Sequence, residues 1–170
     1  MKLNDSRTIN ADIGIVWAAL LDKNVLQACV PGCTEMSGSA DEGFEATVVQ
    51  KVGPVKATFK GAVALNDRVE PTNLTIKGEG NGGAAGFAKG GAVVTLEKVE
   101  AGFTQLTYEV EAKVGGKLAQ LGSRIIDGFA KKMADEFFSR FQEAAEGPAD
   151  PAEHAAEAKK PGWFKRMVTS

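Results

Sequence analysis

Apolar and polar residues alternate with a period of two through the middle of the chain, and the pattern lengthens to helical spacing only towards its two ends. Lys2 to Ile9 reads as a first strand. Asn10 is placed to cap a helix with apolar positions Ile13, Val16, Trp17 and Leu20, and Asp22 to cap a shorter one through Val25 and Leu26. Val30-Pro31-Gly32-Cys33 must end the second helix, because proline restricts the residue before it and glycine permits an open turn. Phe44, Ala46 and Val48 then alternate with Glu45, Thr47 and Val49. After a turn at Gly53-Pro54, Val55, Ala57, Phe59, Gly61, Val63 and Leu65 share one face of a long half-buried strand, in which Gly61 is a candidate bend or bulge. Turns at Pro71-Thr72-Asn73 and Glu100-Ala101-Gly102 separate strands through Leu74 and Ile76, through Val93 to Val99, and through Leu106, Tyr108, Val110, Ala112 and Val114.

From Lys117 to Ala145 the period becomes helical. Leu118, Gly122, Ile125, Ile126, Phe129 and Met133 fall on one face, with Gln120, Arg124, Asp127, Lys131 and Asp135 opposite. Gly115-Gly116 breaks the chain ahead of this helix and Gly147-Pro148 ends it. Gly122 costs roughly 1 kcal/mol there relative to alanine and leaves a gap between Leu118 and Phe129. The gap reads either as a close crossing with a strand backbone or as room for an apolar ligand. Phe138 projects on the polar side, as a plain exposed aromatic or a contact. The order of strand, two short helices, antiparallel strands and long helix is an α+β pattern of the helix-grip kind, a curved antiparallel sheet wrapped round a C-terminal helix.

Composition narrows the function classes. A chain of 170 residues carries one domain, residues 1–146, and a tether, residues 147–170, rich in alanine, proline and isolated charges. A formal net charge of −2 and the lack of a basic aromatic stripe in the domain argue against nucleic acid as a partner. MKLNDSRTIN lacks the apolar core of a signal peptide, and apolar runs such as Val16 to Leu21 are too short to cross a bilayer. The expectation is a cytoplasmic protein in which Cys29 and Cys33 are reduced thiols.

Gly78-Glu79-Gly80-Asn81-Gly82-Gly83 has the spacing of a dinucleotide fingerprint, but strand rather than helix follows it. It reads as a glycine-rich hairpin at the rim of the sheet, or as a rim that opens a cavity or receives a partner. No metal is expected, since the two cysteines lack a second ligand pair and the one histidine, His154, lies in the tail. Cys33 is placed either at a cavity mouth or buried as a small apolar group. Glu136 falls near the apolar stripe with Arg140 four residues on, and the two read as a structural ion pair. An enzyme is the minority reading, with Tyr108 and Glu79 as its candidate titratable groups. The tail ends in four cations, Lys159, Lys160, Lys165 and Arg166, around Trp163 and Phe164. That set suits reversible docking on an anionic membrane or a partner, against a solvated end or a tail folded onto its own domain.

Pro31-Gly32-Cys33, KVGPVKATFKG from Lys51, the glycine-rich rim and GGKLAQLGSRIIDGFAKKMADEFF from Gly115 together resemble the carbon monoxide dehydrogenase CoxG family of the START-like SRPBCC superfamily. The resemblance covers about residues 1 to 145, and its third block is the most specific. It implies an apolar cavity between the long helix and the sheet, and a non-enzymatic accessory that recruits a molybdenum-containing carbon monoxide dehydrogenase, or a related molybdenum hydroxylase, to the inner face of the cytoplasmic membrane. The cavity would hold an isoprenoid quinone, menaquinone or ubiquinone, or a similar lipid, with no covalent cofactor. Face and periodicity would line it with Phe59, Gly61, Phe87, Tyr108, Leu118, Leu121, Gly122, Ile125 and Phe129, and place Pro31, Gly32, Cys33, Gly80, Gly82 and Gly83 at its mouth or rim. The alternatives are a START-like cyclase or hydrolase acting on an apolar substrate, and a recruitment scaffold without ligand.

Overall fold

The structure, a computed structural model, describes residues 1–147. Its elements are β1 (Lys2–Ile9), α1 (Ile13–Leu20), α2 (Lys23–Cys29), β2 (Cys33–Ser39), β3 (Gly43–Val52), β4 (Val55–Val69), β5 (Asn73–Asn81), β6 (Phe87–Glu100), β7 (Phe103–Gly115) and α3 (Ser123–Glu146), with 3-10 turns at Gly83–Ala85 and Gly116–Leu121. All strands pair antiparallel in one sheet, in the order β1-β7-β6-β5-β4-β3-β2. This is the helix-grip architecture, with α3 held against the concave face.

Alternation decides which side chains meet the helix. Phe44, Leu65, Leu74, Val94, Leu96, Leu106 and Tyr108 point inward and are buried, while their sequence neighbours point out. They join Ile9, Val16, Trp17, Leu20 and the α3 residues Phe138, Phe141 and Ala145 in one core. Each such burial stabilises the fold by about 1.5–3 kcal/mol. Polar contacts fasten this end of α3 to β1. Gln142 donates to the Thr8 carbonyl at 3.1 Å and accepts from Arg7 at 3.2 Å, and the Asn10 amide donates to Glu146 at 2.9 Å.

Several local expectations are corrected. Asp12, not Asn10, precedes the first turn of α1; its carbonyl accepts from the Ile15 and Val16 amides, and its side chain makes no cap hydrogen bond. Gly61 pairs in regular register with Ala46 and Gly80; the irregularity of β4 lies at Asn66 to Val69, where Asp67 has a positive φ of 49°. The helix does not run from Lys117, since the chain makes a 3-10 turn to Leu121 and breaks at Gly122, whose φ of 90° is outside the helical range. Phe138 is not on a polar side but 8% exposed, stacked on Tyr108 with ring centroids 4.3 Å apart.

Candidate functional site

The two halves of α3 meet the sheet differently. Its C-terminal half is packed into the core. Its N-terminal half spans the concavity, and β1 and β3 are the strands the helix approaches most closely. Asp127 shows the difference, because it lies on the same helix line as Phe138 and Ala145, eleven and eighteen residues before them, and yet is exposed. Beneath this half, the inner positions of successive strands are held by the smallest residues. Ala46, Gly61, Gly80 and Ala88 pair in one row across β3 to β6, and Gly78, Gly90 and Ala112 pair in the next across β5 to β7. Ile126 and Ala130 are half-buried on the helix above these rows, while Ala134 and Phe137 pack against the core.

Gly80 shows that the inner side of the floor is open. A methyl group built there meets no atom within 4 Å, and its backbone is outside the positive-φ region. Other glycines of the segment have different reasons. A side chain at Gly82 would strike the Phe59 ring, and one at Gly90 the Glu111 carbonyl. Gly86, with φ of 115°, lets the turn after β5 cross Gly115 and Gly116 at van der Waals distance, so the two 3-10 turns close one end of the chamber. Val52, Ala85 and Leu118 are buried at that end but stand apart from the main core. The result is an apolar hollow on the concave face, with a packed core at one end, a small apolar cap at the other, and a floor of glycines and alanines.

The residues expected to line or rim this space are divided by the structure. Gly61 and Gly80 lie in the floor, and Phe59 stands half-buried beside it against Gly82. Leu118 is in the cap. Tyr108 is 2% exposed beneath Phe138, within the core and not the chamber. Phe87 is on the outer face, 48% exposed, with its ring over Gly115. Leu121 and Ile125 turn towards Gly53 in the β3–β4 hairpin, and Phe129 lines a recess of about 350 Å³ with Ile125 and Pro31. Gly122 borders nothing within 4 Å of an added methyl group, so its role is the chain break and not a gap in a stripe.

Pro31 is buried, and its carbonyl accepts from the Gln50 side chain at 2.5 Å; a side chain at Gly32 would strike the Val49 carbonyl. Cys33 opens β2 with its thiol donated to the Glu35 carbonyl at 3.2 Å, and burial pushes its pKa up. Gly83, with φ of 64°, begins the turn that follows β5. Lys159, Lys160, Trp163, Phe164, Lys165 and Arg166 lie outside the described residues. Sequence reasoning missed Ala46, Gly78, Ala88, Gly90 and Ala112 as floor, because only strand register shows that small residues far apart in the chain are neighbours.

Among the described residues no group of three metal-ligating side chains converges, and no helix is long and apolar enough to cross a membrane. Glu136 is 3.9 Å from Arg140, in the expected ion pair. Glu79 is exposed on the outer side of β5.

A family model for CoxG, described as a carbon monoxide dehydrogenase subunit, matches residues 6–146. No curated protein matches the chain. Among solved structures, a conserved protein from Geobacillus kaustophilus is 28% identical with a TM-score of 0.79, over 85% of this chain and 95% of that one. The Zhui aromatase/cyclase from Streptomyces sp. R1128 has a TM-score of 0.65 at 12% identity, covering 89% and 97%. A START superfamily protein from Mycobacterium smegmatis has a TM-score of 0.64 at 10% identity, covering 85% and 97%. The last two likenesses show a shared START-like fold.

Proposed function

The chain belongs to the carbon monoxide dehydrogenase CoxG family, and from that premise we propose an accessory role in which the chamber under α3 holds an isoprenoid quinone or similar lipid. The protein would thereby couple a molybdenum-containing carbon monoxide dehydrogenase, or a related molybdenum hydroxylase, to the cytoplasmic membrane. A quinone in the chamber supplies an electron acceptor. The chain's own residues supply the rest: Gly61, Gly80 and Ala88 leave a floor of small residues for a planar or chain-like apolar group, and Ile126 and Ala130 cover it from water. The open space above Gly80 is the observation that carries this reading.

A non-catalytic role is supported by the placement of the two titratable candidates. Tyr108 is packed under Phe138, and Glu79 points away from the concave face. The tail's cations and aromatics support reversible membrane attachment by composition.

The test is native mass spectrometry with organic extraction on full-length protein from its own host, beside Gly80→Leu. Wild type is expected to carry a stoichiometric quinone or lipid, and the variant to melt at an unchanged or higher temperature and emerge empty. An empty wild-type protein that still brings its dehydrogenase to vesicles would reduce the function to recruitment. Equal loading of both proteins would place the ligand elsewhere.

A further inference from the structure

We propose that the end of the domain formed by the β3–β4 hairpin and the first turns of α3 is itself a docking surface for an anionic lipid bilayer, separate from the tail. Lys51 and Lys56 stand directly opposite each other across the hairpin and share its outer face. Like charges in that relation destabilise a strand pair. Neither has an ion-pair partner among the described residues, and the same is true of Arg124 and Lys132, which line the recess beside Lys51. The recess has one carboxylate, Glu136, and Arg140 already faces it at 3.9 Å. Four cations with no ion-pair partner among the described residues thus lie on the hairpin and the first turns of α3, against one exposed carboxylate there, Asp127, in a chain whose net charge is −2.

Apolar groups are interleaved with these cations. Ile125 is 41% exposed and sits over Gly53, next to the Pro54 tip, and Phe129 is half-buried behind it. An acidic protein surface would satisfy the charges alone. A bilayer satisfies both, with phosphates at the lysines and arginine and the acyl boundary at Ile125 and Pro54. The same turns of α3 border the chamber, so docking here sets its capped end against lipid. The inference holds whatever the chamber contains.

The probe is flotation of full-length protein with vesicles of phosphatidylcholine alone or mixed equally with phosphatidylglycerol, in wild-type and Trp163→Ala/Phe164→Ala backgrounds. Replacing Lys51, Lys56, Arg124 and Lys132 by glutamine is expected to weaken partition onto the mixed vesicles by about fivefold per cation in both backgrounds. Binding to neutral vesicles should not change. Lys51→Glu separates docking from folding, because it creates a cross-strand pair with Lys56. It is expected to raise the melting temperature while lowering anionic-vesicle binding. Unchanged partition of the quadruple variant would overturn the proposal, as would a loss confined to association with the dehydrogenase, which would assign the patch to an acidic protein.

Discussion

Burial pushes the Tyr108 hydroxyl above its ordinary pKa of 10.0, and the carboxylates of Asp5, its cross-strand neighbour, and Asp135 add to the effect against Arg7 and Lys131. A group whose folded pKa is raised contributes its full share of stability below the unfolded value, and that share is lost as pH climbs through the folded value. The loss attributable to Tyr108 therefore begins near pH 10 and not on the acid side. Tyr108→Phe keeps the stack on Phe138 and removes the titration. In urea melts at about pH 8 and about pH 11, wild type is expected to lose more stability than the variant. An equal loss would mean that the hydroxyl is as well solvated folded as unfolded. Other residue-level features were harder to read. Gly80 and Gly122 are both glycines in glycine-rich surroundings, yet one is the open floor of a chamber and the other a positive-φ break. The backbone tells them apart, because Gly80 is paired in β5 while Gly122 carries a positive φ between two helical turns.

At the scale of elements, α3 illustrates what periodicity conveys. Its stop at Gly147 and its apolar character are legible in the sequence, because a helix end and a stripe are local properties. Its start was not, since Lys117 to Leu121 has apolar spacing compatible with either a 3-10 or an α-helical turn, and the crossing with Gly86 selects the first. β2 escaped for the opposite reason. CTEMSGS has almost no apolar alternation and is a strand because β3 pairs with it at the sheet edge. The division of labour along α3 is testable with two like substitutions. Phe138→Ala removes a buried, stacked ring and is expected to cost about 3–5 kcal/mol in chemical denaturation. Phe129→Ala removes a half-buried ring from the recess and is expected to cost well under half as much. Similar losses at the two sites would show that the helix packs uniformly along its length.

The whole molecule is a grip closed firmly at one end. Where α1, β1, β7 and the C-terminal half of α3 converge, Ile9, Leu106 and Phe141 are fully buried and Thr104 holds the Ala11 carbonyl at 2.8 Å. At the other end the hairpin, the two 3-10 turns and the first turns of α3 enclose a few buried apolar residues around a chamber. The fold class follows from the order of elements and was legible in the sequence. The asymmetry does not, because it depends on which inner positions are empty once seven strands are in register. Local opening follows the density of buried contacts, so amides from Ile126 to Met133 are expected to exchange hydrogen faster than those from Phe137 to Ala145. Loading the chamber should slow exchange in the first group, and in β5 around Gly80, while leaving the second unchanged. Gly80→Leu, which fills the floor with a side chain in place of a ligand, should reproduce part of that slowing without any ligand present. If α3 instead exchanges as a single unit and loading protects it evenly, the chamber is not a separately opening part of the fold. Ligand release would then require the whole grip to loosen.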